Sequence, residues 1–168
     1  MTLAAEPDRI AAALLYREAL YLDERRWDEW LALFEERIEF WVPAWKSEDE
    51  PTDDPNSEVS LLYLTTRHEL EERVARVRSG RSIASTPLPR TAHCVSNVIA
   101  EADATGDTLQ VRCNATTHIY NVKRREPHLV FARAAYTLAR SDSAWRIRRK
   151  KLLLLNDYIP TMLDFYTI

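Results

Sequence analysis

The segment PLPRTAHCVSNVIAE, residues 87–101, brings a histidine, a cysteine and an asparagine close together in sequence, and all three take part in enzyme chemistry. His93 directly precedes Cys94, and Asn97 follows shortly after. Adjacent residues of a regular strand point to opposite faces, so His93 and Cys94 cannot form a side-chain dyad there. The alternation instead places His93 and Asn97 on one face and makes Cys94 a small core residue on the other. His93 and Asn97 then either bond to neighbouring backbone or point into a pocket.

Other catalytic and metal-binding motifs are absent from the sequence. The remaining histidines, His68, His118 and His128, form no HxH, HExxH or CxH…CxxH pattern, and the two cysteines form no CxxC. No GxSxG occurs, and Gly80 and Gly106 are the only glycines, which excludes a GxGxxG dinucleotide fingerprint. The spacing therefore predicts neither a metal site nor a phosphate-binding loop.

Three carboxylates, Asp23, Glu24 and Asp28, lie between the first two predicted helices. Glu24 and Asp28 are four residues apart, a spacing that would suit an acid–base pair. A solvated connection between helices is the favoured interpretation, and the acid–base pair is the alternative.

Four tryptophans, Trp27, Trp30, Trp41 and Trp45, fall within nineteen residues. Helix-to-sheet core packing is the favoured explanation of the cluster. Trp41 and Trp45 lie on the polar face of their predicted strand, where they are candidates for a subunit interface.

The segment WRIRRKKLLLL, residues 145–155, has five basic residues in six positions. On a regular strand, Arg146, Arg148 and Lys150 share one face, and Arg149 and Lys151 share the other. Because both faces of the strand carry positive charge, we expect a polar or acidic surface to contact one of them. A net charge of −3 and the lack of interleaved aromatic residues argue against nucleic acid, so we expect a protein partner, with Arg146, Arg148 and Lys150 as interface candidates.

Length and composition describe one soluble domain spanning residues 1–168, with 46% hydrophobic and 29% charged residues. No signal peptide and no apolar stretch long enough to span a membrane is recognised. We expect a cytoplasmic, reducing environment with two free thiols, and no membrane partner.

Apolar spacing predicts helices in the first half of the chain. Residues 8–25 and the segment DEWLALFEE repeat apolar residues every three to four positions. Thr66 and Glu69 form a capping box that begins a third helix, and Gly80 ends it.

Strand signals surround and follow that third helix. RIEFWVPAW alternates with period two, an acidic loop covers residues 46–57, and EVSLLYLTT is a short strand. Four long strands follow at 91–103, 108–122, 128–140 and 144–156, joined by short turns that make them antiparallel neighbours. This order predicts an α+β fold in which N-terminal helices cover the concave side of a strongly curved sheet and make a cone with a pocket.

Three segments carry a family resemblance: RRWDEWLALFEERIEFWVPAW, TDDPNSEVSLLYLTTRHELEERVARVRSGRS and PRTAHCVSN. They resemble the small (β) subunits of aromatic-ring-hydroxylating dioxygenases, in particular the benzoate and anthranilate branch. The similarity extends from about residue 10 to the C-terminus and includes the late WRI strand.

The resemblance implies a cystatin-like cone of the nuclear-transport-factor type. It also implies a partner, a large α subunit that carries a Rieske [2Fe–2S] cluster and a mononuclear Fe(II), in an α3β3 assembly with a trimeric β stalk. A separate reductase would supply electrons from NADH. The Rieske cluster needs paired cysteines and histidines, which this chain lacks, so no catalytic, cofactor-binding or metal-binding residue is assigned here.

A second hypothesis is a free-standing cone-fold lyase or isomerase, because a fold alone does not determine a function. It would use Tyr16, His93 and Asn97 as pocket residues. A metal-free ligand-binding protein is the third hypothesis.

Overall fold

The computed structural model describes residues 6–81 and 86–168. Residues 82–85, between the predicted third helix and the first predicted long strand, therefore lie outside the described residues. Within the described part of the first half, α-helices occur at Glu6–Asp23 (α1), Trp27–Leu31 (α2) and Arg67–Arg78 (α3). A short 3-10 helix, Phe165–Thr167, follows the last strand. Among the described residues, no helix is both long enough and apolar enough to cross a membrane.

Six strands form one sheet in the order β2-β1-β6-β5-β4-β3. The strands are Phe34–Pro43 (β1), Ser60–Thr66 (β2), Arg90–Ala102 (β3), Thr108–Asn121 (β4), Glu126–Ser141 (β5) and Ala144–Leu154 (β6). Every neighbouring pair is antiparallel except β1 and β6, which run parallel. The predicted α+β class and the antiparallel arrangement of the four long strands are confirmed.

The capping box at the start of α3 is present as predicted. The backbone N–H of Glu69 donates to Thr66 Oγ1, and the Glu69 carboxylate accepts from the backbone N–H of Thr66 at 2.9 Å. Both bonds satisfy backbone donors that a helix cannot pair internally. Gly80 follows α3 with a positive φ of 64°, which the absence of a Cβ makes favourable.

Helix α1 packs on the concave side of the sheet. Its buried residues Leu14, Leu15 and Leu22 belong to the same core cluster as the inward residues of β4, β5 and β6. The alternation of β5 explains this packing, because its even-numbered residues from Val130 to Leu138 face inward and are buried. The sheet thus forms a cone around α1, and the buried side chains of the helix pack in its interior.

Aromatic residues close one part of this core. Trp30 stacks on Phe165 with ring centroids 4.8 Å apart, and it meets Phe34 edge-on at 5.1 Å. The favoured interpretation of the tryptophan cluster as core therefore holds for Trp27 and Trp30, which are both buried.

Two bulges interrupt the alternation of the long strands. In β3, Ser96 pairs with Asn114 but Ile99 pairs with Arg112, which leaves one extra residue, and Asn97 adopts a left-handed φ of 55°. In β6, Arg149 pairs with Thr137 but Ile147 pairs with Leu138, so one extra residue lies at position 148. Each bulge reverses the faces of the residues beyond it.

Candidate functional site

The interior of the cone holds a buried ion pair. Lys150 Nζ on β6 donates to Glu18 Oε1 on α1 at 2.7 Å, and the two residues are only 2% and 3% exposed. Tyr136 Oη on β5 donates to the other carboxylate oxygen of Glu18 at 3.1 Å. The Lys150 ammonium also lies 4.9 Å from the centroid of the Phe40 ring. A charge in this interior is tolerated because it is paired and hydrogen-bonded.

The position of Lys150 corrects its prediction as an interface residue. The bulge at Arg148 turns Lys150 to the same side as Ile147, three residues earlier, while Arg146 and Arg149 face outward. Regular alternation would have placed Lys150 with Arg146 on the outside. Lys150 therefore contacts the core of its own chain and is not available to a partner.

The ion pair sets the electrostatics of its neighbours. Burial, together with the negative charge of Glu18, raises the pKa of the Tyr136 hydroxyl well above its ordinary value. Burial also raises the pKa of the Cys113 thiol to about 12, and Glu18 adds to the shift. Both groups are therefore neutral at physiological pH, and Cys113 is no nucleophile in this conformation.

A second polar cluster joins the end of α1 to the start of β3. His93 Nδ1 lies 2.6 Å from Asp23 Oδ1, and the His93 backbone N–H donates to Asp23 Oδ2 at 2.9 Å. Thr91 Oγ1 donates to Asp23 Oδ1 at 2.9 Å. The His93 side chain is only 7% exposed, and its Nε2 is buried with no hydrogen-bond partner in the described part of the chain.

These contacts lower the pKa of the Asp23 carboxyl. Burial by itself raises the pKa of Asp23, but the hydrogen bonds and the charge of His93 outweigh it and hold that pKa below its ordinary value. Asp23 is thus a carboxylate that fixes the orientation of His93. The sequence identified Asp23 as a carboxylate near the first helix connection, but no local pattern linked it to His93, seventy residues away.

The remaining pocket candidates do not join His93. Tyr16 is 54% exposed on the outer side of α1, and Asn97 is exposed at the bulge of β3. The prediction that either residue lines the pocket with His93 is therefore wrong. Cys94 is also exposed, so its assignment to the core is wrong as well. Opposite faces for His93 and Cys94 were predicted correctly, but it is the histidine that faces inward.

The space left inside the cone is small. A cavity of about 20 Å³ lies among Leu15, Glu18, His93, Tyr136 and Lys150. This volume holds about one water molecule, whereas small-molecule sites have volumes of about 300–1,000 Å³. The interior as described therefore has no room for the substrate of a free-standing lyase or isomerase.

A larger cavity of about 310 Å³ lies at the end of the cone where β4 joins β5. Ile119, His128, Val130, Tyr158 and Met162 are among its lining residues. None of the predicted pocket residues contributes to it, and it is separate from the Asp23–His93 cluster.

The outward-facing interface candidates differ in accessibility. Trp41 is only 1% exposed, since its Nε1 donates to Ser60 Oγ at 2.9 Å and the Lys151 ammonium covers its ring at 4.2 Å. Trp41 is therefore not available to a partner in this conformation, which corrects its prediction as an interface residue. Trp45 is half-buried, and its Nε1 donates to the Leu154 carbonyl at 2.8 Å.

The two arginine candidates face solvent to different degrees. Arg146 is half-buried on the outer face of β6. Arg148 is exposed at the bulge and pairs with Glu35, with Arg148 Nε 2.8 Å from Glu35 Oε2.

The donor set of the described residues does not suit the iron centres that the family resemblance implies. Across residues 6–81 and 86–168, no three histidine, cysteine or carboxylate side chains converge in a geometry that could hold a metal ion. Cys94 and Cys113 lie on opposite faces of the sheet, one exposed and one buried, so they cannot ligate one cluster. These residues therefore do not fit either centre.

The sequence of the chain matches a family model over residues 17–161, and that model describes the ring-hydroxylating beta subunit. The chain belongs to this family. The small subunit of 2-halobenzoate 1,2-dioxygenase from Burkholderia cepacia is 42% identical over 156 residues, which cover 93% of both proteins.

Solved structures agree with this membership of the beta-subunit family. The beta subunit of benzoate 1,2-dioxygenase from Burkholderia mallei superposes with a TM-score of 0.77 at 34% identity, and each chain is covered completely. A Nostoc punctiforme protein with a cystatin-like fold superposes with a TM-score of 0.61 at 14% identity, covering 95% of this chain and 98% of that one, which supports the fold alone. The predicted family and the predicted cystatin-like fold are confirmed.

Proposed function

We propose that this chain is the structural β subunit of a dioxygenase that hydroxylates a benzoate-type aromatic carboxylate. The observation that carries the proposal is the 42% identity, over 93% of both chains, to the small subunit of a 2-halobenzoate dioxygenase. The benzoate dioxygenase beta subunit, 34% identical over its whole length, supports the same substrate class.

The partner would be a large α subunit that holds the Rieske [2Fe–2S] cluster and the mononuclear Fe(II). A reductase would deliver electrons from NADH, and the assembly would contain three copies of each subunit in the cytoplasm. The filled cone supports a structural role, because its interior holds an ion pair and a cavity of only about 20 Å³. Trp45, Arg146 and Arg148 remain candidates for contact with a partner subunit.

Isolation of the tagged chain from its native host, grown on an aromatic acid, tests the proposal. A stoichiometric large chain, a mass of three plus three subunits in native mass spectrometry and a visible iron–sulfur absorption band are expected. A colourless chain that purifies alone from such cells would contradict the proposal.

A matched pair of variants separates a structural role from a catalytic one. His93→Ala should leave the rate per assembled iron centre unchanged, measured as NADH-dependent oxygen uptake with benzoate, even if it lowers the yield of complex. Ser96→Ala, at an exposed position of the same strand, serves as the control. Loss of turnover in a fully assembled His93→Ala complex would favour a catalytic role for the cone.

A further inference from the structure

One end of the sheet carries opposite charges on its two sides. We define the acidic lobe as residues 46–58, which connect β1 to β2, and the basic turn as residues 122–125, which connect β4 to β5. The parallel pairing of β1 with β6 and the antiparallel pairing of β6 with β5 bring both connections to the same end. Two to three strand spacings of about 4.8 Å separate β1 from the β4–β5 hairpin.

The acidic lobe is an ordered, strongly negative surface. It contains six carboxylates and one lysine, Lys46, which pairs with Glu50, Asp53 and Glu58. Its base is held by a 2.8 Å hydrogen bond from the Thr52 backbone N–H to the Ala44 carbonyl. The carboxylates of Glu48 and Asp49 are exposed at its surface.

The basic turn is an exposed, positively charged surface that hydrogen bonds hold in place. Lys123, Arg124 and Arg125 are consecutive and exposed. Asn121 fixes the turn, since its side-chain oxygen accepts from the Arg124 backbone N–H at 2.9 Å and its carbonyl accepts from the Arg125 backbone N–H at 2.8 Å. Three positive charges therefore project from one rigid hairpin end.

An apolar strip lies between the two charged surfaces. Leu129, Phe131 and Leu155 are each about two-fifths exposed on the outer face of the sheet. The Leu155 backbone N–H donates to the Phe131 carbonyl at 2.9 Å, so these two side chains are neighbours. Exposed apolar side chains next to opposite charges are typical of a protein-binding surface.

We propose that the acidic lobe of one copy of this chain docks on the basic turn of the next copy, with the apolar strip buried between them. The occupant is a second copy because its own lobe supplies the negative charge that the turn requires. When each copy uses its lobe on one neighbour and its turn on the other, the contact is head-to-tail, and head-to-tail contacts close into rings when the rotation permits. Closure at three copies rests on the proposed function.

Charge reversal tests this assignment on the full chain. The turn variant is Lys123→Glu/Arg124→Glu, the lobe variant is Glu48→Lys/Asp49→Lys, and a third variant combines all four changes. Native mass spectrometry and sedimentation velocity should show a trimer for the unchanged chain. Each single-surface variant should raise the dissociation constant by about tenfold or more, and the combined variant should restore the trimer, because the opposite charges then face each other again.

Arg9→Glu/Arg17→Glu on the exposed side of α1 is the matched control, since it makes the same change in net charge as the turn variant. The control should remain trimeric. Circular dichroism verifies folding of every variant. As a measurement without mutation, 0.5 M NaCl should weaken the trimer of the unchanged chain, because salt screens exposed charges.

The outcomes separate this assignment from the proposed function. A chain that is monomeric both alone and with its large subunit overturns the three-copy assembly, and the docking surface with it. A trimer that survives both reversals, is insensitive to salt, is lost equally in the α1 control, or is not restored by the combined variant overturns the docking surface alone.

Discussion

Lys150 Nζ and Glu18 Oε1 lie 2.7 Å apart inside the cone, where they connect the last strand of the sheet to the first helix across 132 residues of sequence. The buried pair also holds the Tyr136 hydroxyl through the second oxygen of Glu18. A concave interior is the usual place for a small-molecule ligand. Here the ion pair and the surrounding leucines occupy it, and the pair fixes how α1 lies on the sheet.

Removing one member of the pair should destabilise the chain strongly. Lys150→Met leaves the Glu18 carboxylate buried without its cation, so we expect the free energy of unfolding to fall by about 3–5 kcal/mol. Urea denaturation followed by tryptophan fluorescence measures the change.

The double variant Glu18→Gln/Lys150→Met is the control for this experiment. The amide keeps an oxygen that accepts from Tyr136, and no charge remains buried, so the double variant should be more stable than Lys150→Met alone. Equal stability of the single and double variants would show that the ion pair does not form.

The Asp23–His93 contact should make stability depend on pH in the acid range. The pKa of Asp23 is lowered in the folded chain, whereas an unfolded aspartate titrates near about 3.9. The stabilisation is therefore fully present above about pH 4 and is lost as the pH falls through the lower folded pKa. Asp23→Asn should remove this loss of stability at low pH. It should also lower the free energy of unfolding near neutral pH by about 1–3 kcal/mol.

Denaturation curves of both proteins between about pH 2 and pH 7 provide the measurement, because the loss occurs below about pH 4. Thr91→Val is the matched control, because it removes one hydrogen bond to Asp23 and leaves the contact with His93 intact. Parallel stability curves for the unchanged chain and Asp23→Asn would contradict the role assigned to Asp23.

The sequence predicted the positions of the helices and strands better than it predicted which side chains of each strand point inward. Apolar periodicity identified α1, the capping box of α3 and the four long strands with ends within a few residues of those observed. Extrapolating period two along β3 and β6 then failed at Asn97 and Arg148, because one extra residue inverts all that follows. No local signal marks such a bulge, since it is fixed by pairing with the neighbouring strand.

The polar contacts were the hardest part to predict. Asp23 and His93 are seventy residues apart, and Glu18 and Lys150 are 132 apart, so neither pair leaves a spacing pattern in the sequence. Curvature of the sheet brings them together. Each pair joins α1 to a strand, so its two members can be identified only once the position of α1 on the sheet is known.

The left-handed conformation of Asn97 predicts an unusual mutational pattern. Asparagine tolerates a φ of 55°, and glycine does so without a steric penalty. Asn97→Gly should therefore leave the free energy of unfolding nearly unchanged, whereas Asn97→Val should lower it by about 1–2 kcal/mol. Valine at Ser96, an outward strand position before the bulge, is the control and should be tolerated. If both valine variants were equally stable, the bulge would not lie at Asn97.

The two thiols should differ sharply in reactivity. Cys94 is exposed on the outer face of β3, whereas Cys113 is buried and its pKa is raised to about 12. At pH 8 only about one Cys113 thiol in ten thousand is ionised, and burial blocks access to it as well.

A disulfide reagent should therefore label one thiol per folded chain quickly and the second only in concentrated guanidinium. Cys94→Ser should abolish the fast phase, and Cys113→Ser should leave it unchanged. A fast phase that survives Cys94→Ser would mean that the sheet opens around Cys113, and that the cone is less tightly filled than its buried ion pair indicates.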